Sequence, residues 1–294
     1  MNKFILFFFI TLICCNKNKS LYFFSGSSNV SIDKEFKDYW FDGKAEVSSY
    51  NLQQSRYGSE REGSAVLIFV TEDFLTNSQV KSNEKSKSSK LVLKLNRTKK
   101  FLTGIYPYSI MTSTFSLLGQ TQPLVKSTTS IQEWCGHMFL QLNRRKNLEI
   151  QTHSYFEGEG DQKFKLKDAI SEDDLWLWIR TQPDRLPKGE IEILPSLEFL
   201  SMNHKNIKLY KANTHLEKFD QTNTFHISYP KLNRKLSISF ENYPPYKILG
   251  WEELDLILPD RSTRAKIKKS IRLPYWKLNK KGDEYFRDSL KLKI

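Results

Sequence analysis

Cysteine is nearly absent from this chain: there are three, and two of them, Cys14 and Cys15, adjoin near the N-terminus. Cys135 is then the only thiol in the body of the chain, so no internal disulfide framework can be drawn and the fold must stand on its core. Glycine and proline are sparse as well, 12 and 10 in 294 residues, which excludes collagen-like and Pro/Gly-rich low-complexity polymers. After Ile13 no apolar run approaches the roughly 20 residues that a membrane-spanning helix needs. No GxSxG, P-loop, Rossmann glycine pattern, HExxH or paired CxxC occurs. No cofactor is therefore expected, and no repeat of fixed period is found.

Aromatic residues are plentiful, with 20 Phe, 13 Tyr and 6 Trp. Disordered chains are poor in aromatics, so most of this one is expected to fold. Acidic residues are in deficit, 33 against 46 Lys and Arg, for a formal charge of +13. Such an excess attracts polyanions. The basic residues are scattered, with modest clusters at 144–146, 266–269 and 277–281, a pattern that also suits a solvated basic surface.

The N-terminus carries the strongest local signal. Lys3 precedes an apolar run from Phe4 to Ile13 broken only by Thr11. Ten helical residues span about 15 Å, half the hydrocarbon core, so the layout is that of a signal peptide, residues 1–14. Leu12-Ile13-Cys14-Cys15 resembles a lipobox, with Cys15 as the residue to be lipidated and Cys14 standing where a smaller residue is usual. Residues 15–38 then read as a polar tether through Ser25-Gly26-Ser27-Ser28-Asn29. The expected place is the cell envelope, lipid-anchored and periplasm-facing, on the outer membrane rather than the inner. There the partners of a basic surface are the membrane and an anionic lipid or wall polymer. Nucleic acid is not expected.

From residue 39 to 258 the periodicity predicts a mainly-β domain. Alternation or compact apolar runs mark strands at 44–50, 64–70, 91–95, 111–118, 127–142 and 148–156, with others at 190–194, 196–200, 208–219, 224–229 and 235–241. The Ser/Lys-rich stretch 78–90 reads as a loop. One helix is well marked, over 171–183: Ser171 as cap, Glu172-Asp173-Asp174 in the first turn, and Leu175, Trp178 and Ile179 on one face. Residues 259–294 read as a basic tail partly packed on the domain, with a short helix over 283–290. The expected architecture is a large curved antiparallel sheet or half-barrel packed over that helix.

One stretch gathers chemistry-bearing residues. On a continuous strand, Glu133, Cys135 and His137 would share a face. If residues 144–146 form a hairpin loop with Asn143 opposite Asn147, His137 lies beside His153, Cys135 beside Tyr155 and Glu133 beside Glu157. Such a patch suits a Cys–His nucleophile pair, or a metal held by His137, His153 and a carboxylate. It equally suits a hydrogen-bonded polar ladder with Cys135 as a small buried residue. His204, His215 and His226 are isolated, and Glu252 and Glu253 adjoin on opposite strand faces.

Several stretches together resemble a family of uncharacterised envelope lipoproteins of Gram-negative bacteria. They are the lipobox, Trp40 through Gly43-Lys44-Ala45-Glu46 to Arg56-Tyr57-Gly58, the run Ala65 to Phe74, Thr103 to Ser109, Gln132 to His137 and His153 to Glu159. Some members carry the label septum formation inhibitor Maf. The Maf proteins proper are cytosolic nucleotide pyrophosphatases with an early Ser-x-Ser-Pro-Arg-Arg signature, which this chain lacks. The resemblance implies an envelope lipoprotein and transfers no functional residue. The expected role is a membrane-tethered binding or scaffold protein, for a lipid or hydrophobic ligand. The alternative is an envelope hydrolase or metal-dependent enzyme centred on the Glu/Cys/His patch.

Overall fold

The computed structural model describes residues 32–121 and 123–292. The signal segment, the Cys15 site and the Ser25–Asn29 stretch lie outside the described residues.

Two meanders merge into one sheet. The first runs through β1 (Ala45–Arg56), β2 (Ser59–Leu75), the two-residue β3 (Val80–Lys81), β4 (Ser89–Thr103), β5 (Tyr106–Leu117), β6 (Leu124–Glu133), β7 (Gly136–Arg144), β8 (Leu148–Ser154) and β9 (Gln162–Leu166). The second follows a short β10 (Ile170–Ser171) and passes through β11 (Gly189–Leu194), β12 (Tyr210–Lys218), β13 (Thr222–Tyr229), β14 (Arg234–Glu241), β15 (Ile248–Asp255) and β16 (Thr263–Leu273). β16 returns to pair with β1, giving a mostly antiparallel open sheet with β9 and β10 at its two ends. Only β10 and β11 run parallel.

Alternation sets the inner face. In β5, Tyr108, Ile110, Thr112, Thr114 and Ser116 are buried while their neighbours are not, and β14 buries Arg234, Leu236, Ile238 and Phe240 in the same way. Two helices fill the space inside the curve, α2 (Glu172–Thr181) and α3 (Leu197–Met202), α2 against β4 and β5 and α3 against β6. α1 (Lys34–Trp40) is capped by Asp33, whose carboxylate accepts from the Phe36 N–H at 2.7 Å, and it sinks Trp40 into the same core. The apolar run 64–70 is covered on both sides: Ala65, Leu67 and Phe69 face the main core, and Val70 joins Ala45 and Val47 under Leu290 and Leu292. That burial on two faces is why it reads as an unbroken apolar run.

The mainly-β curved sheet over a helix is as the periodicity predicts, and several local expectations are corrected. The stretch 196–200 is not a strand but the start of α3. Leu197, Leu200 and Ser201 are all buried, and their i, i+3, i+4 spacing suits a helix that buries one face. The stretch 127–142 is two strands, because Trp134 and Cys135 form a tight turn between Glu133 and Gly136. Residues 263–273 are not tail but β16, zipped between β15 and β1. Its Lys and Arg residues mask the alternation that buries Thr263 and Ala265. Residues 34–38, expected in the tether, belong to α1. The C-terminal helix is a 3-10 turn at Asp283–Tyr285 running into α4 (Phe286–Ser289).

Candidate functional site

The structure does not bring the Glu133, Cys135, His137, His153 and Glu157 patch together. The β7–β8 hairpin pairs Arg144 with Leu148, so Phe139, not His137, stands opposite His153. The loop is Arg145-Lys146-Asn147, one residue further along than Asn143–Asn147 pairing would need. Glu133 is buried and accepts the Cys135 backbone N–H at 2.7 Å, an Asx-like clamp of the turn. Cys135 is exposed, and its thiol is pushed up by Glu133, so thiolate formation is disfavoured there. His137 meets Ser130 Oγ at 3.3 Å, His153 meets Asp161 at 2.9 Å and stacks on Phe139, and Glu157 lies in the exposed β8–β9 turn. Among the described residues, no group of three or more His, Cys, Asp or Glu is arranged to hold a metal ion. His215 and His226 stack at 4.4 Å across β12 and β13, with Glu217 and Ser237 bonded to His226.

Charge gathers instead at the helix inside the sheet. The three acids that open α2 are all buried, and Ser171 makes no capping bond. Glu172 takes two hydrogen bonds from Arg234, at 2.5 and 2.8 Å, and one from the Tyr229 hydroxyl at 2.6 Å. Burial pushes this carboxyl up, but Arg234 outweighs it and holds the group below its ordinary range. Asp173 and Glu198 both receive Arg97, and Lys99 reaches Glu198 at 2.6 Å. Asp174 is held mainly by neutral donors, with the charge of Arg144 a lesser influence. It accepts from the Trp178 indole N–H at 2.7 Å and from Ser116 Oγ, and burial pushes its carboxyl up to about 6. At the far end of α2, Arg180 forms a fork–fork pair with Glu46 at 2.7 Å per bond, and Tyr39 bonds the same carboxylate.

Beyond this network the inner face opens into a cleft of about 480 Å³. Its floor is Arg97, Lys99, Glu172, Trp176, Glu198 and Arg234. Its mouth is formed by the β1–β2 tip, the end of α3 and the β15–β16 loop, which contribute Arg56, Lys205 and Arg261. Every carboxylate of the floor is already paired, as is Glu253, held by Arg234 at 2.5 Å. Arg56, Lys205 and Arg261 have no carboxylate partner among the described residues. Arg56 donates to the Met202 carbonyl at 2.7 Å and lies over the rings of Tyr57 and Tyr108. The phenols of those tyrosines meet at 2.8 Å. Four buried side-chain atoms of the lining have no hydrogen-bond partner; Arg97 Nε, Trp176 Nε1 and Arg234 Nε are donors, and Gln54 Oε1 is an acceptor. A cleft with surplus cations at its mouth suits a negatively charged ligand.

None of these cleft residues stood out as a site in the sequence; Glu172 is legible there only as the acidic start of a helix and Glu253 only as one of an adjacent pair. The signal was nonetheless present: Leu93, Leu95, Arg97, Lys99 and Phe101 fall on one face of β4, so two cations interrupt an apolar stripe. Arg234 likewise begins the buried face of β14.

No family model and no curated protein matches the chain. Among solved structures it is similar to a β-barrel-like protein of a domain of unknown function, DUF1849, from Brucella abortus. The TM-score is 0.48 and the identity 9%, over 77% of this chain and 97% of that one. The likeness concerns the β-rich architecture and bears on no residue of the cleft.

Proposed function

We propose that this protein is a membrane-tethered envelope binding protein that takes an anionic group, phosphate or carboxylate, into the cleft between α3 and the sheet. The observation that carries the reading is the surplus of positive charge at the mouth, Arg56, Lys205 and Arg261 without carboxylate partners among the described residues, against one acid of the lining, Asp255, that has no cation partner there. A low-dielectric cleft in which cations outnumber carboxylates concentrates anions. Guanidinium groups match phosphate and carboxylate geometry in two-point contacts. The ligand is of the kind an envelope supplies: a phosphorylated headgroup or an anionic wall polymer. The tether would be a lipid on Cys15, which holds the cleft on the periplasmic side, at the outer membrane. A hydrophobic cradle is less well supported, because α2, α3 and their side chains occupy the inside of the curve.

The test is calorimetric titration of the full chain with inorganic pyrophosphate at fixed ionic strength, followed by the Arg56→Gln and Arg261→Gln variants. Saturable binding that each variant weakens by about tenfold or more is expected, as removal of a charge-assisted bond implies. Heat no greater than that of chloride at equal ionic strength, or binding untouched by both substitutions, would overturn the reading.

A further inference from the structure

The pairing pattern places several turns at one end of the sheet. β1, β4, β6, β8 and β15 all run toward that end, and β2, β5, β7, β9 and β16 run back from it. Three neighbouring hairpins carry their most exposed large apolar residues at the tips: Ile105 is 83% exposed, Trp134 68% and Tyr155 69%. Ile257 in the β15–β16 loop, 65% exposed, lies at the same end beside the cleft mouth. The two aromatic side chains are held in place. Trp134 stacks on Tyr106 at 6.4 Å. Tyr155 lies against Gly136, where a Cβ would stand only 2.5 Å from its ring, so glycine is needed to seat it.

From this row we infer that the rim is a surface that docks on an anionic lipid bilayer, with the tip side chains entering the headgroup layer. Tyr and Trp rings, apolar with a polar edge, favour that depth. The tips are separate short turns and make no flush patch. A soft interface can admit each one singly, whereas a rigid protein surface would need a matching pocket for each. The strands behind them have their backbone groups paired, so side chains can enter the interface without exposing backbone to lipid. Charge agrees: the chain carries +13, and Arg56, Lys205 and Arg261 stand at the same end. Of the acids at this end, Glu60 is bonded by Arg264, and Glu159 and Asp161 are bonded to His204 and His153, which offset them only when protonated. Glu157, Asp255 and Asp260 have no cation partner among the described residues, so it is the excess of Lys and Arg over the whole chain that favours an anionic surface. Docked this way, the cleft mouth would face the membrane. The three cations of the mouth are shared with the proposed anion cleft, but the apolar tips are not, so the probe experiment on the tips reads out docking apart from pyrophosphate binding.

The experiment uses the full chain with Cys14→Ser and Cys15→Ser, which leaves Cys135, at the Trp134 tip, as its only thiol. A polarity-sensitive fluorophore is attached to Cys135 and the protein is bound to vesicles of phosphatidylethanolamine with one-third phosphatidylglycerol. A control carries Cys135→Ser and Asp220→Cys, which moves the probe to the β12–β13 turn at the opposite end. The expected result is a blue shift and quenching by brominated lipid at Cys135 and neither at residue 220. Ile105→Ser and Tyr155→Ser should each weaken binding about tenfold, as loss of buried apolar surface implies. A Cys135 probe that stays water-like on bound protein overturns the inference and assigns the tips to a protein contact. Equal responses at both ends overturn it too, since docking would then have no orientation.

Discussion

Replacing Asp174 with Asn should stabilise the protein at neutral pH and leave it nearly unchanged in acid. The carboxyl is buried against Trp178 and Ser116, and burial, offset only in part by the charge of Arg144 and the Leu124 backbone, raises it from an ordinary 3.8 to about 6. A carboxyl raised in the folded state holds its proton longer there than in the unfolded chain. Its stabilising effect is present in full below pH 3.8 and is lost as pH rises through 6. Two pH units correspond to about 3 kcal/mol at 1.36 kcal/mol per unit, so wild type bears roughly 2–3 kcal/mol of strain at pH 7.5. Asn reproduces the protonated form: its carbonyl accepts from the Trp178 N–H and its amide donates to Ser116 Oγ. Urea unfolding of both proteins from pH 4 to 7.5 gives the difference directly. A gap that opens with pH in favour of Asn and levels off above about pH 6.5 is expected. A gap independent of pH, or one favouring wild type as pH rises, would refute the argument that a buried carboxylate whose burial outweighs its partners sits at the start of α2.

Two further expectations concern stability alone. Arg234→Met should cost about 3–5 kcal/mol in urea unfolding, because Glu172 would be left buried and unpaired; adding Glu172→Gln should recover part of that loss, and no recovery would mean the two do not act as a pair. Gly63→Ala should cost about 1–3 kcal/mol, since its Cβ would lie 2.3 Å from the Lys100 carbonyl and must spread β2 from β4; an unchanged unfolding midpoint would show that the strands yield freely.

Periodicity alone was enough for the β class, for most strands between 44 and 241, and for the one long helix. Each of those signals is local, an alternation of two or a spacing of three and four, and a chain states such patterns wherever one face is buried. Where the local pattern failed, a distant contact had decided. The 196–200 stretch is short, so strand and helix periods were indistinguishable until the inside of the sheet gave its apolar side something to bury against. β16 looked like a basic tail because its cations hide the alternation; what makes it a strand is β1, more than 200 residues earlier in the chain.

The Glu/Cys/His patch shows the same division. Residue types and spacing proposed it, but hairpin register is set by where the turn falls, and a shift at the 145–147 loop together with a turn at Trp134–Cys135 left only Glu133 and Cys135 in contact. The sequence by itself determined the aromatic-rich, disulfide-free sheet and the excess of positive charge. The tertiary structure alone decided where that charge matters. Arg97, Glu172, Glu198 and Arg234 come from strands and helices far apart in sequence, and only the curvature of the sheet brings them to one cleft, because charges can be buried only where partners from elsewhere meet them.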